Sequence, residues 1–166
     1  MAREEPGEHG APTHAPRSQE TLRQVELSPQ RAANERAGVA RVRIVVVDDD
    51  RATTAMMRAL LEHAGYDVET AHDGQAALDT IARFHPRVVL LDIGMPGMDG
   101  LAIARQLRQE QGGSELVLIA ISGYSQGEHA AATRAAGFDQ HLVKPVDLST
   151  LRRVIAAATS TALPRA

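Results

Sequence analysis

From Arg43 onward the chain alternates short β-branched or aliphatic runs with segments of about a dozen residues whose apolar positions recur at helical spacing. That alternation constrains the fold more than any other feature. Strands separated by helix-length segments are the signature of βαβ units and a parallel sheet. The runs fall at 43–47 (RIVVV), 67–71 (DVETA), 87–91 (RVVLL), 115–121 (ELVLIAI) and 141–143 with the residues just before it. The first, third and fourth are almost wholly apolar and belong at the centre of a sheet covered on both faces. DVETA alternates and carries charge, which places it at an edge.

Five amphipathic segments lie between and after these runs. The first sets Met57, Leu60, Leu61 and Ala64 at helical spacing and then meets Gly65, a helix stop. The second follows Asp73-Gly74 and shows Ala77, Leu78 and Ile81; the third shows Leu101, Ala104 and Leu107. The fourth, 128–136, is mostly alanine and histidine, so it is expected to be the loosest on the sheet. The last starts at Asp147, a suitable N-cap, and carries Leu148, Leu151, Val154 and Ile155. The expected architecture is therefore a doubly wound α/β domain over 41–163, with a five-stranded parallel sheet and five helices.

Residues 1–40 have a different texture: four prolines, three glycines, charges of both signs, and large aliphatics only at Leu22, Val25, Leu27 and Val39. Such a stretch buries too little apolar surface to offset its ordering entropy, so a disordered tail or linker is expected, with at most a short helix near 20–26. Across the whole chain only Tyr66, Phe84, Tyr124 and Phe138 are aromatic, which makes the core aliphatic and argues against stacking on nucleic-acid bases. A net charge of −3 likewise disfavours a phosphate-backbone partner. With no cysteine, disulfides, thiolate metal sites and a cysteine nucleophile are excluded. The opening MAREEPGEHG is unlike a secretory signal, and apolar runs such as 116–121 are far shorter than the roughly 20 residues of a membrane helix. A cytoplasmic protein without membrane association is the expectation.

In a parallel sheet with helical crossovers every strand ends at the same edge, and ligand chemistry collects beyond those carboxyl ends. After the first strand come Asp48, Asp49 and Asp50; after the third, Asp92; after the fourth, Ser122; after the fifth, Lys144 and Pro145. Carboxylates about 5 Å apart repel by roughly 3 kcal/mol per pair at an effective dielectric near 20, so this group calls for a cation. Oxygen-only donors select a hard, partly hydrated ion, Mg²⁺. A carboxylate flanked by such an ion, an ammonium and a hydroxyl can act as a nucleophile towards phosphorus. Lys144 is the one lysine among eighteen basic residues, a compact point charge in a chain that otherwise uses arginine.

At these residues the chain resembles a response-regulator receiver domain, the CheY-like module of two-component signalling. The matching segments are IVVVDDD (44–50), LLEHAGYDVETAHDGQAAL (60–78), VVLLDIGMPGMDG (88–100), LIAISGY (118–124) and AAGFDQHLVKPVDLSTL (135–151). They come in the family's order and cover about 43–160, nearly the whole globular part. The resemblance implies Asp92 as phosphoacceptor, and Mg²⁺ held by Asp92, by Asp49 directly, by Asp48 through water and by the backbone carbonyl of Gly94. It implies Ser122 and Lys144 as phosphoryl-binding groups, a cis peptide before Pro145, and the strand order 2-1-3-4-5. Asp50 falls outside the metal set and is expected to cap the first helix with Thr53 or Thr54. His141 stands where many receivers carry a tyrosine or phenylalanine that swings inward; it is either that switch ring or a partly exposed strand-end residue, and Tyr124 is placed near the mouth of the site. The other histidines (His9, His14, His63, His72, His85 and His129) are expected at the surface.

The implied function is a single-domain response regulator, phosphorylated by a sensor histidine kinase or phosphotransfer protein and signalling to a protein target through the face of the fourth helix, fifth strand and fifth helix. Two other readings compete. One is a phosphorylation-independent adaptor with a residual site. The other is an aspartate-dependent phosphatase, whose Asp-x-Asp-x-Thr pattern read from Asp48 finds Ala52 where threonine belongs.

Overall fold

The computed structural model describes residues 41–96, 99–110, 113–123 and 126–160, without the side chains of 126–129. The expected tail at 1–40, the end of the expected domain at 161–163, and Tyr124 lie outside the described residues.

Five strands, β1 (Arg43–Val47), β2 (Asp67–Ala71), β3 (Val88–Asp92), β4 (Val117–Ser122) and β5 (Gln140–Val143), alternate with α1 (Arg51–His63), α2 (Gly74–Phe84), α3 (Gly100–Gln109), α4 (Gln126–Ala135) and α5 (Leu148–Ser160). All strand pairs are parallel, in the order β2-β1-β3-β4-β5. The charged, alternating DVETA is an edge strand, as its pattern requires.

Side chains of successive strand residues leave opposite faces of the sheet, and the core divides accordingly. Val45, Val47, Val89, Leu91, Leu118 and Ala120 pack on one face against Ala77 and Ile81 of α2 and Ile103, Ala104 and Leu107 of α3. Ile44, Val46, Val88, Leu90, Ile119 and Ile121 pack on the other against Met57 and Leu61 of α1 and Leu151 and Ile155 of α5. Each such aliphatic side chain contributes about 1.5–3 kcal/mol on full burial, so the central strands, not the charged edge, hold the fold together.

Three details differ from the sequence reading. Leu60 does not join the buried stripe of α1: it is 41% exposed and Met56 58% exposed, while Thr54, Met57 and Leu61 face inward. Thr54 keeps its place there because its hydroxyl donates to the Arg51 carbonyl. In α3 the buried residue Ile103 joins Ala104 and Leu107, whereas Leu101 is only partly covered. Finally, Asp92 and Ser122 close their strands instead of following them, since the ladders run on to Asp92↔Ile121 and Ser122↔Val143.

The strand-to-helix turns also sort the carboxylates at this edge. Asp50, Asp73 and Asp99 are the N-caps of α1, α2 and α3, each accepting a backbone N–H of the first turn. Asp147 accepts from the Thr150 N–H before α5. Asp50 is held below its ordinary 3.8 by the Thr53 hydroxyl and the Ala52 N–H, and Asp147 well below by the Ser149 hydroxyl and the Thr150 N–H. A carboxyl lowered in this way stabilises the fold fully above its unfolded pKa, and that contribution fades as pH falls through the folded value. Asp147→Asn, which keeps a capping side chain without the charge, is expected to flatten the loss of stability below about pH 4, as urea denaturation across an acid pH series would register.

Candidate functional site

With those four acids committed to helix ends, Asp48, Asp49 and Asp92 remain. One carboxylate oxygen from each lies within 4.8 Å of the others. Asp48 is 3% exposed and Asp92 8% exposed, while Asp49 faces solvent. Asp48 and Asp92 come together because β1 and β3 are adjacent and in register, Val47 opposite Leu91. Gly100 lets α3 start directly against this point: a Cβ there would sit 2.7 Å from the Asp92 carbonyl oxygen.

Lys144 bridges the two buried acids. Its Nζ donates to Asp48 Oδ2 at 2.8 Å and to Asp92 Oδ2 at 2.7 Å. The remaining oxygens accept backbone hydrogen bonds, Asp48 Oδ1 from the Asp50 N–H at 2.9 Å and Asp92 Oδ1 from the Gly94 N–H at 2.7 Å. Partial burial pulls the Lys144 pKa down, but the hydrogen bonds to Asp48 and Asp92 and the charges behind them outweigh it and hold the ammonium above its ordinary value. Lys144 is itself fixed to β4, its backbone N–H donating to the Ser122 carbonyl at 2.7 Å, and the Lys144–Pro145 peptide is cis. Three carboxylates facing one ammonium leave an excess of negative charge among oxygen donors, an arrangement fitted to a hard cation.

Ser122 is fully buried, and its Oγ lies 2.8 Å from Nε2 of the half-buried His141. The structure thus ties the histidine to the hydroxyl expected at the site from the sequence. Asp50 stands apart as the cap, bonded by Ala52 and Thr53.

One histidine departs from expectation. His63 and His85 are exposed, but His72 is half-buried, its Nδ1 3.3 Å from the Asp48 carbonyl oxygen and 3.5 Å from Thr54 Oγ1. The side chains of His9, His14 and His129 lie outside the described residues. The signal lies in the sequence: His72 follows β2 directly, as Asp48 follows β1 and Lys144 follows β5.

A cleft of about 770 Å³ lies at the opposite end of the strands, its lining including Arg41, Arg43, Arg87, Glu110 and Glu115. The helices of this fold end there, and cations at helix C-termini are favoured by the exposed carbonyls. Arg41 pairs there with Asp67 at 3.2 Å, and the Arg43 guanidinium lies 5.8 Å from the centre of the Phe84 ring.

Comparison with known proteins adds the following. The family description "response regulator receiver domain" matches residues 44–156. The response regulator MprA of Mycobacterium tuberculosis H37Rv is 44% identical over 110 residues, which is 66% of this chain and 47% of that protein. MprA of Mycobacterium avium is 43% identical over the same extent. The chain therefore spans about half the length of the curated relatives it matches. Among solved structures, the chemotaxis response regulator CheY4 of Vibrio cholerae superposes with a TM-score of 0.68 at 27% identity, covering 72% of this chain and 99% of that one. NtrX from Brucella abortus gives 0.67 at 31% identity, covering 74% of this chain and 28% of that one.

Proposed function

The chain belongs to the response regulator receiver domain family, and from that premise we propose that it is a phosphorylation-controlled switch with Asp92 as the phosphoacceptor. The observation that carries this reading is the paired engagement of Asp92, Oδ2 by the Lys144 ammonium and Oδ1 by the Gly94 N–H, beside Asp48 and Asp49. A carboxylate held from both sides is oriented, and one in a largely buried pocket is shielded from water.

The donor we propose is the phosphohistidine of a sensor kinase or phosphotransfer protein. An Asp92 carboxylate oxygen forms the bond to phosphorus, the phosphorus–nitrogen bond breaks, and the departing imidazole nitrogen takes a proton. Asp48, Asp49 and Asp92, with the Gly94 backbone carbonyl, are the groups that would hold Mg²⁺. Bound there, the ion supplies neutralisation of the phosphoryl oxygens. Lys144 is positioned to transfer its ammonium from the carboxylate to a phosphoryl oxygen, and Ser122 to donate its hydroxyl to another.

Output through another protein, at the face made by α4, β5 and α5, completes the proposal, with the cytoplasm as its location. Among the described residues no helix is long and apolar enough to cross a membrane.

The test is labelling with a small phosphodonor. Acetyl phosphate with Mg²⁺ is expected to place one acid-stable, base-labile phosphoryl group per chain, and Asp92→Asn to take none. A parent protein that stays unlabelled at saturating donor and ion favours the adaptor reading; steady hydrolysis of unrelated phosphate esters favours the phosphatase.

A further inference from the structure

The contact between Ser122 and His141 has a direction that phosphorylation would fix. Register explains the contact: His141 pairs with Ala120 and Val143 with Ser122, so Ser122 and His141 leave the sheet on the same face as Leu118 and Ala120. The result is a 2.8 Å bond between Oγ of the fully buried Ser122 and Nε2 of the half-buried His141. A serine hydroxyl has one proton to donate, and a neutral imidazole nitrogen either donates or accepts according to tautomer.

A phosphoryl group on Asp92 presents only acceptor oxygens at neutral pH. Ser122 can bind it only by giving that single proton, and its oxygen can then act toward the ring only as an acceptor. A hydrogen bond to an ionised oxygen is roughly twice as strong as one between neutral groups, so the phosphoryl group, not the ring, takes the proton when the two compete. The Ser122–His141 bond survives if the ring becomes the donor, and each bond in the resulting chain then strengthens the next.

Resting on the reading of Asp92 as phosphoacceptor, we propose that His141 is a positioning residue: its Nε2–H donates to Ser122 Oγ and thereby aims the serine proton at the phosphoryl oxygen. The opposite arrangement, in which the ring withholds the hydroxyl, predicts the reverse effect when the ring is removed.

The experiment uses the full chain with ¹⁵N-labelled histidine, and beryllofluoride with Mg²⁺ as a phosphoryl mimic. Binding is expected to give a His141 Nε2 carrying a proton in one-bond correlation, absent from Asp92→Asn under the same conditions. His141→Phe is expected to shorten the lifetime of the acetyl phosphate-derived phosphoryl group about tenfold, the effect of losing one hydrogen bond that serves a charged group. His141→Gln, whose amide can donate from a similar position, is expected to recover most of it. In a Ser122→Ala background, His141→Phe should change nothing further.

A bare Nε2 in the adduct overturns the proposal, as does a longer or unchanged lifetime in His141→Phe. Should His141→Phe not fold, the ring spectrum of the parent and the lifetime in His141→Gln decide. If the parent takes up no beryllofluoride, the phosphoacceptor reading fails and this inference with it; uptake without a protonated Nε2 refutes the inference alone.

Discussion

Lys144→Met is expected to reduce phosphorylation of Asp92 by acetyl phosphate at least about a hundredfold while costing the unphosphorylated fold about 2 kcal/mol. The first effect comes from removing a preorganised cation from the place where negative charge accumulates. The second comes from what is left behind. Asp48 and Asp92 are nearly buried, and each has one oxygen on the ammonium at 2.7 to 2.8 Å. Losing a fully buried partner costs about 3–5 kcal/mol and losing an exposed one under about 1 kcal/mol. With Lys144 36% exposed, an intermediate value follows. The two effects separate on adding Mg²⁺: urea denaturation should show the cation restoring most of the lost stability, since it compensates the same carboxylates, whereas the labelling rate stays low. Equal recovery of both would mean that the lysine acts only as a counter-charge.

What was legible in the sequence follows the reach of each signal. Strands β1, β3 and β4 could be read because apolar runs bounded by polar residues report burial on both faces, and β2 because its charges report an edge. Asp48, Asp92 and Lys144 were legible as one group because the topology brings all strand ends to a single edge, and proximity there needs no side-chain detail. Leu60 misled because periodicity gives a stripe without its width, and Thr54 took a position that hydrophobicity alone would deny it. His72 follows an edge strand, and an edge strand ends at the same place as the others, so its position beside the site is readable from the topology. The link from His141 to Ser122 depends on register between β4 and β5, which no local pattern in either strand specifies.

The same limit hid Arg108, whose loss is expected to destabilise the domain by about 3 kcal/mol and lower its melting temperature by more than about 10 °C. In sequence it is one more arginine near the end of an amphipathic helix. In the fold its Nε donates to the Gly137 carbonyl at 2.8 Å, its Nη1 to the carbonyls of Leu116 at 2.6 Å and of Gly113, and its Nη2 to Asp139 Oδ2 at 2.6 Å. Asp139 Oδ2 in turn accepts the Leu118 N–H at 2.8 Å, so one guanidinium fastens α3 to the segment leading into β4 and to the turn before β5. Alanine would leave three carbonyls and a carboxylate without this donor, where only part of the debt can be met by water. Lysine is expected to recover little, because a point charge on a flexible stem cannot donate in these directions at once. The turn reinforces the argument from the other side: Gly137 has φ +96°, and a Cβ there would lie 2.7 Å from the Arg108 Cγ. Gly137→Ala is therefore expected to lose stability through both backbone strain and displacement of the arginine, and in an Arg108→Ala background to keep only the strain. Thermal denaturation of the two single variants and the double variant measures that difference; strictly additive losses would show that turn and guanidinium act independently.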